Sequence, residues 1–337
     1  MSSYAQSGVD LDNAGRTKRM IEEAVRSTHS PAVLAGMGAF GGALDLSAAV
    51  AGGTAPVLVA STDGVGTKTL IARALDRFDT VGQDLVNHCV NDVLVQGARP
   101  LFFMDYIASA HLDAEEIAEI VTGVALACRD AGCALLGGET AEMPGVYRPD
   151  TFDLAGTMVG VVERDRLITG STIVPGDAII GLRSTGLHTN GYSLARRVCE
   201  PLGYATQPPE LGGASLGDAL LAVHRSYLGD VQTLWNGGVT IKGMAHITGG
   251  GLIENVPRSL PAGTAARIHR GNWPVPPIFT FLLEKGEVAD DEAYRVFNMG
   301  VGMVLFVAAT EVEQVQALLP EADMIGEVVA GHGVELA

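Results

Sequence analysis

The sequence predicts an α/β (α+β) protein of two domains, and three observations lead there. At 337 residues the chain exceeds the size at which one hydrophobic core usually stops growing. Short apolar runs alternate with segments of helical period, the pattern of strand and helix in turn. Apolar residues make up 47% but aromatics only 5%, so the interior is built mainly from Ala, Val, Leu and Ile.

Taken in order, Met20, Ile21, Ala24 and Val25 mark one face of a helix within Asp10 to His29, and a Gly-rich loop, Gly36 to Gly42, follows. After Pro56, Val57 to Ala60 reads as a buried strand. It runs into Ser61-Thr62-Asp63-Gly64-Val65-Gly66-Thr67-Lys68, where the glycines turn the chain and a helix begins. A helix is expected around Val81 to Gln96, a strand over Pro100 to Tyr106 and a helix over Asp113 to Ala131. A strand over Cys133 to Leu136 ends in Gly137-Gly138, and another spans Leu154 to Glu163. The polar, turn-rich segment Arg164 to Gly176 marks the boundary, which divides the chain into residues 1–168 and 169–337. The second half opens with a strand, Ala178 to Leu182, and a loop, Ser184 to Gly191. Helices are expected from Tyr192 and from Ala219. The loop His246 to Gly251 leads into a helix-like Leu252 to Arg258, and Met299 to Ala308 returns to strand.

The formal charge of -17 and a pI near 4.8 argue against nucleic acid and anionic membranes as partners, since either requires clustered Lys and Arg. An acidic protein that handles phosphates does so through backbone N–H groups, helix N-termini and a divalent cation. The four cysteines form no CxxC pair, and no uninterrupted apolar stretch reaches the ~18 residues of a membrane span. With a polar N-terminus, these features lead us to expect a soluble, cytoplasmic protein.

The helix Asp84 to Gln96 carries the strongest chemical signal. Asp84, His88 and Asp92 lie at i, i+4 and i+8 with Asn87 and Asn91 beside them, and the remaining positions are apolar. An ordinary wet helix face carries Lys, Glu and Arg. This one carries short carboxylates, amides and a His, the groups that bind metals or polar ligands. Asp63, Asp105 and Glu139 each end an apolar run, where α/β folds gather ligand chemistry. Together with Asp92 they suggest a hard-oxygen Mg²⁺ site. Lys68, directly after the Gly64 to Thr67 turn, stands equally well as a nucleotide-phosphate ligand or as an exposed helix-start lysine.

Two familiar phosphate motifs are excluded, one by its residues and one by its context. Val65 to Thr69 lacks the Gly that a P-loop needs before its Lys. Gly36 to Gly41 satisfies G-x-G-x-x-G, but Gly42, Gly52 and Gly53 leave little room for a crossover helix, which argues against a dehydrogenase. In the second half, Thr189-Asn190-Gly191 and Thr248-Gly249-Gly250 each precede a helical pattern, with His188 and His246 alongside. They suit a second anion site, although an N-cap and turn would look the same.

Several long strings resemble one family: STDGVGTK from Ser61, CVNDVLVQGARPLFFMDY from Cys89, GGETAEMPG from Gly137, LHTNGYSL from Leu187 and HITGGG from His246. They are similar to the phosphoribosylformylglycinamidine cyclo-ligases, or aminoimidazole ribonucleotide synthetases, from about Tyr4 to the C-terminus. The resemblance implies an N-terminal domain whose sheet completes a barrel across a homodimer, a C-terminal α/β domain, and ATP against the former. It also implies ATP-dependent ring closure of formylglycinamidine ribonucleotide in purine biosynthesis. By motif, Asp63 and Asp92 would bind metal. Gly64, Gly66, Thr67, Lys68, Asn91, Glu139 and Thr140 would bind ATP. His188, Thr189, Asn190, Gly191, Thr248, Gly249 and Gly250 would face the substrate, and His246 or Asp105 would move protons. His88 and Arg99 depart from the commonest pattern, where a Met-like residue and Glu stand, so no role passes to His88.

Overall fold

The computed structural model describes residues 33–35, 42–45, 56–111 and 113–337. The expected helix Asp10 to His29 and the glycine run 36–41 lie outside them.

The first half builds a six-stranded sheet in the order β1-β2-β3-β6-β4-β5. Its strands are β1 (Val33–Ala35), β2 (Gly42–Asp45), β3 (Val57–Gly64), β4 (Arg99–Ser109), β5 (Ala134–Glu142) and β6 (Phe152–Val162). Neighbouring pairs are antiparallel except β4 with β5, which run parallel and are joined by a crossover helix. Three helices lie in this half: α1 (Lys68–Leu75), α2 (Asp79–Leu94) and α3 (Ala114–Asp130), the crossover helix. Asp113 caps α3 by accepting from the N–H groups of Glu115 and Glu116.

Strand β6 shows why the sheet packs on one side. Phe152, Leu154, Met158 and Val162 are buried toward the helices, while the alternate residues stay partly exposed. Helix α2 buries its apolar positions Leu85, Val86, Cys89, Val90, Val93 and Leu94 completely. Gly82 and Gly123 let α2 and α3 approach closely, since a Cβ on either would meet the other helix's backbone at 2.1 Å.

Strand β5 continues through Gly137-Gly138 to Glu142, beyond the expected end at those glycines. The pairing with β4 continues past an irregularity in the register where Gly137 takes a φ of 145°, and Gly138 leaves space for the Asp105 side chain alongside.

The second half forms a sheet in the order β12-β9-β11-β7-β10-β8. Its strands are β7 (Ala178–Arg183), β8 (Gly243–His246), β9 (Thr264–Ile268), β10 (Val301–Val307), β11 (Asp323–Ala330) and β12 (Gly333–Leu336). Here α4 (Tyr192–Cys199), α5 (Leu216–Leu220), α6 (Leu228–Asn236), α7 (Gly251–Asn255), α8 (Pro277–Gly286), α9 (Asp290–Val296) and α10 (Val312–Leu318) complete the described helices. The helix expected from Ala219 is instead two, α5 and α6, parted by 221–227. That segment leaves helical geometry because its backbone bonds to α2 of the first half: Asp84 accepts from His224 N–H, Asn87 donates to His224 C=O, and Asn91 bonds Arg225 and Tyr227.

Candidate active site

A cavity of about 290 Å³ opens where the two halves meet. Asp63, His88 and Asp92 line it from the first half; Asn190, Thr248, Gly249 and Arg258 line it from the second. Helix periodicity places His88 and Asp92 one turn apart on α2, while the end of β3 delivers Asp63 opposite. From the second domain, Asn190 precedes α4, Thr248 and Gly249 link β8 to α7, and Arg258 follows α7 in a 3₁₀ turn.

The acidic side is tightly bonded. Ser61 Oγ donates to Asp92 Oδ2 at 2.7 Å, and His246 Nδ1 stands 2.8 Å from Asp92 Oδ1. His88 Nε2 lies 2.9 Å from Asp63 Oδ2 and 3.6 Å from Asp92 Oδ2. Burial opposes protonation of His88, but Asp63 and Asp92 outweigh it and raise its pKa to about 9. Burial likewise favours neutral Asp63, yet the adjacent His88 charge prevails and lowers its pKa to about 2. Burial lowers the pKa values of His188, His224 and His246, which keeps those imidazoles neutral.

Several expected site residues fall elsewhere. His246 ends β8 fully buried behind Asp92, and His88, which faces the cavity, takes the place expected of it. Lys68, expected at the nucleotide phosphates, is held inside the protein by an ion pair. Its ammonium is fully buried, 2.7 Å from Asp84 Oδ2, and donates to the carbonyls of His188 and Ala222. Asn91, expected at ATP, faces the other domain. Its amide donates to Arg225 C=O and accepts from Tyr227 N–H, so it joins the domains and has no free edge for a nucleotide.

Asp105 shares a cross-strand row with Gly156 and Asp63. It therefore points to the same face of the sheet, two strand spacings or about 10 Å from Asp63. Glu139 and Thr140 lie exposed on β5 beyond it. Gly64, Gly66 and Thr67 form the turn between β3 and α1, and Gly66 adopts a left-handed φ of 54°. His188 is also left-handed, at φ 62°, and its ring stacks on His224 with Nδ1 buried and unbonded. Thr189 Oγ1 lies 2.7 Å from His88 Nδ1. Gly191 and Gly250 occupy the residues before α4 and α7 in left-handed conformations. His224 and Arg258 escaped sequence reasoning, although the quoted Leu252 to Arg258 string contained the latter.

Acidic groups facing an arginine and two glycine-bordered loops across a domain seam define a phosphate-handling enzyme of the two-domain α/β class. The same fold occurs in AaThiL complexed with AMPPCP and TMP, at TM-score 0.65 and 16% identity, covering 94% of this chain and 92% of that one. It occurs in HypE of E. coli, a hydrogenase maturation protein, at TM-score 0.62 and 22% identity, covering 95% and 93%. The AIR synthase related protein N-terminal domain matches residues 44–162, and the C-terminal domain of that family matches 174–337. A phosphoribosylformylglycinamidine cyclo-ligase of Geobacillus kaustophilus (strain HTA426) is 52% identical over 99% of this chain and 98% of its own. One from Bifidobacterium animalis subsp. lactis (strain AD011) is 47% identical over 99% and 96%. The chain belongs to the phosphoribosylformylglycinamidine cyclo-ligase family.

Proposed function

We propose that the seam cavity is where the chain performs its family's reaction, ATP-dependent closure of formylglycinamidine ribonucleotide to 5-aminoimidazole ribonucleotide, releasing ADP and phosphate. This is a step of de novo purine biosynthesis. The observation that carries the reading is the 52% identity over 99% of the chain to a relative named for that ligation.

The chemistry explains the cavity's two sides. An amide oxygen is a poor leaving group, so ATP phosphorylates the formamide oxygen; the amidine nitrogen then attacks that carbon and phosphate departs. Asp63 and Asp92 would hold Mg²⁺, their carboxylates sharing one wall as hard-oxygen donors. When bound, the cation supplies charge neutralisation for the transferring phosphoryl group. Arg258, with Asn190, Thr248 and Gly249, would orient the ribose phosphate opposite. His188, Thr189, Gly191 and Gly250 set the shape of those loops. Gly64, Gly66 and Thr67 would meet the nucleotide phosphates, with Glu139 and Thr140 farther along the sheet. The ATP analogue in the AaThiL complex supports placing ATP in this fold. His246 bonds Asp92 directly and would position that carboxylate, leaving Asp105 nearer the nucleotide for proton movement.

ADP release by the purified protein is expected to require both formylglycinamidine ribonucleotide and Mg²⁺. ATP binding without substrate-dependent turnover would indicate a nucleotide-sensing module, and NAD binding with indifference to ATP would overturn the reading.

We also propose a homodimer joined through the helix-free face of the first sheet, where Met104 and Leu136 are 46% and 63% exposed. Light scattering at micromolar concentration is expected to give twice the 35.0 kDa chain mass; a monomer mass would contradict it. The free cysteines suit the cytoplasm. Among the described residues no helix is long and apolar enough to cross a membrane.

A further inference from the structure

We propose that Asn255 is a positioning residue for the reaction: its side-chain amide holds Arg258 and the Thr248-Gly249 turn in the arrangement that receives the substrate phosphate. The proposal rests on the reading of Arg258, Thr248 and Gly249 as the phosphate side of the cavity, and it adds the residue that orients them.

Asn255 ends α7, is 1% exposed and stands behind the residues that line the cavity. Its amide is nevertheless fully engaged. Nδ2 donates to Gly251 C=O at 2.8 Å, one turn back along the helix, and its second hydrogen faces the carbonyls of Gly249 and Thr248 at 3.2 and 3.3 Å. Oδ1 accepts from Arg258 Nη1 at 3.1 Å and from the Thr248 hydroxyl at 3.3 Å. Turning the amide over would set Nδ2 against a guanidinium and Oδ1 against three carbonyls, so one orientation alone satisfies all the partners. A side chain that only finished a helix would bond its own helix. Here one contact does so, to Gly251, and the others go to Thr248, Gly249 and Arg258, all of which line the cavity.

The local backbone makes this reach possible. Gly250 and Gly251 take left-handed φ values of 97° and 57°, which fold the 248–249 segment back over residue 255. A Cβ would meet Glu254 Cβ at 2.6 Å from Gly250 and Tyr294 C=O at 2.1 Å from Gly251, so the turn depends on glycine at both positions. A trans peptide sets its N–H opposite its C=O. Drawing the Thr248 and Gly249 carbonyls onto the Asn255 amide therefore turns the Gly249 and Gly250 N–H groups away from it, and the oxygens that would repel a phosphate are held inward. The amide also suits Arg258. A neutral partner orients a guanidinium without offsetting its charge, whereas a carboxylate in the same place would compete with an incoming anion. One buried side chain thus sets both the direction of the charged group and the shape of the turn beside it.

The test compares Asn255→Ala, Arg258→Ala and the double variant with the full-length wild type, measuring inorganic phosphate binding by equilibrium dialysis and turnover by ADP release. Asn255→Ala is expected to weaken phosphate binding and raise KM for formylglycinamidine ribonucleotide by at least about 10-fold, since misplacing a positioning group by about 1 Å costs up to about 10²-fold. KM for ATP should stay within about twofold, a split that loss of stability alone does not produce. In the double variant the combined loss should fall well short of the product of the single losses, because Asn255 acts through Arg258. Losses that multiply, or a folded Asn255→Ala protein with unchanged phosphate affinity, would overturn the proposal. Wild-type crystals soaked in inorganic phosphate give a readout that needs no variant to fold. Phosphate is expected beside Arg258 with the Arg258 to Asn255 bond kept; an anion bound elsewhere, or Arg258 drawn off Asn255, counts against the proposal. Wild-type protein that binds phosphate as expected but shows no substrate-dependent ADP release removes the ligase reading alone. Substrate-dependent turnover with the same KM in wild type and Asn255→Ala removes this proposal alone.

Discussion

Asp92→Asn is expected to lower substrate-dependent ADP release by about 10²–10³-fold, the cost of removing one well-placed electrostatic stabiliser from a reacting centre. The variant keeps the shape of the side chain and removes its charge. Asp92 is only 5% exposed and faces three polar neighbours: the Ser61 hydroxyl, the His246 ring and the His88 ring. The Asn oxygen still accepts from Ser61, and the amide can donate to His246, so the thermal transition should move little. What disappears is one of two negative charges on the cavity wall. A plot of turnover against Mg²⁺ concentration separates the possible roles. If Asp92 holds the ion, the curve shifts to higher Mg²⁺ and its plateau drops. If it carries a proton, the plateau drops and the curve stays in place. Rate and Mg²⁺ dependence both unchanged would remove Asp92 from the site.

The same residue shows how far the sequence could be read. The spacing of Asp84, His88 and Asp92 on an apolar helix indicated a buried polar stripe, and α2 has one. Periodicity gives the face but not its neighbour. Along this stripe His88 and Asp92 meet the cavity, whereas Asp84, Asn87 and Asn91 meet the 221–227 segment of the other domain. No local rule distinguishes the two, because the partner atoms belong to residues more than 130 positions away. His224 was invisible for that reason, lying in a segment whose shape is set by α2. Strand β5 was cut short because Gly137-Gly138 carries a local turn signal that pairing with β4 overrides. Lys68 stood beside a glycine turn that fits a phosphate, while its true partner, Asp84, sits on the next helix.

Lys68→Met is expected to destabilise the protein by about 3–5 kcal/mol, the usual result of leaving one half of a buried ion pair without its partner. Both side chains are 0% exposed and their charged atoms are 2.7 Å apart. Burial lowers the Lys68 pKa and raises that of Asp84, each against the attraction of the other. Without the ammonium, Asp84 keeps its bond from His224 N–H but loses its counter-charge, and the carbonyls of His188 and Ala222 lose a donor. The sign of the pH dependence follows. With its folded pKa raised further above the unfolded value, Asp84 favours folding at pH values below the unfolded pKa and loses that contribution as pH rises. The variant's deficit relative to wild type should therefore grow from acidic to neutral pH. Adding Asp84→Asn to Lys68→Met removes the orphaned charge while keeping an oxygen for His224, so it should restore part of the lost stability and flatten the pH dependence. Denaturant unfolding of the three variants at several pH values measures this directly. A Lys68→Met protein of wild-type stability with only a raised KM for ATP would return Lys68 to the nucleotide phosphates.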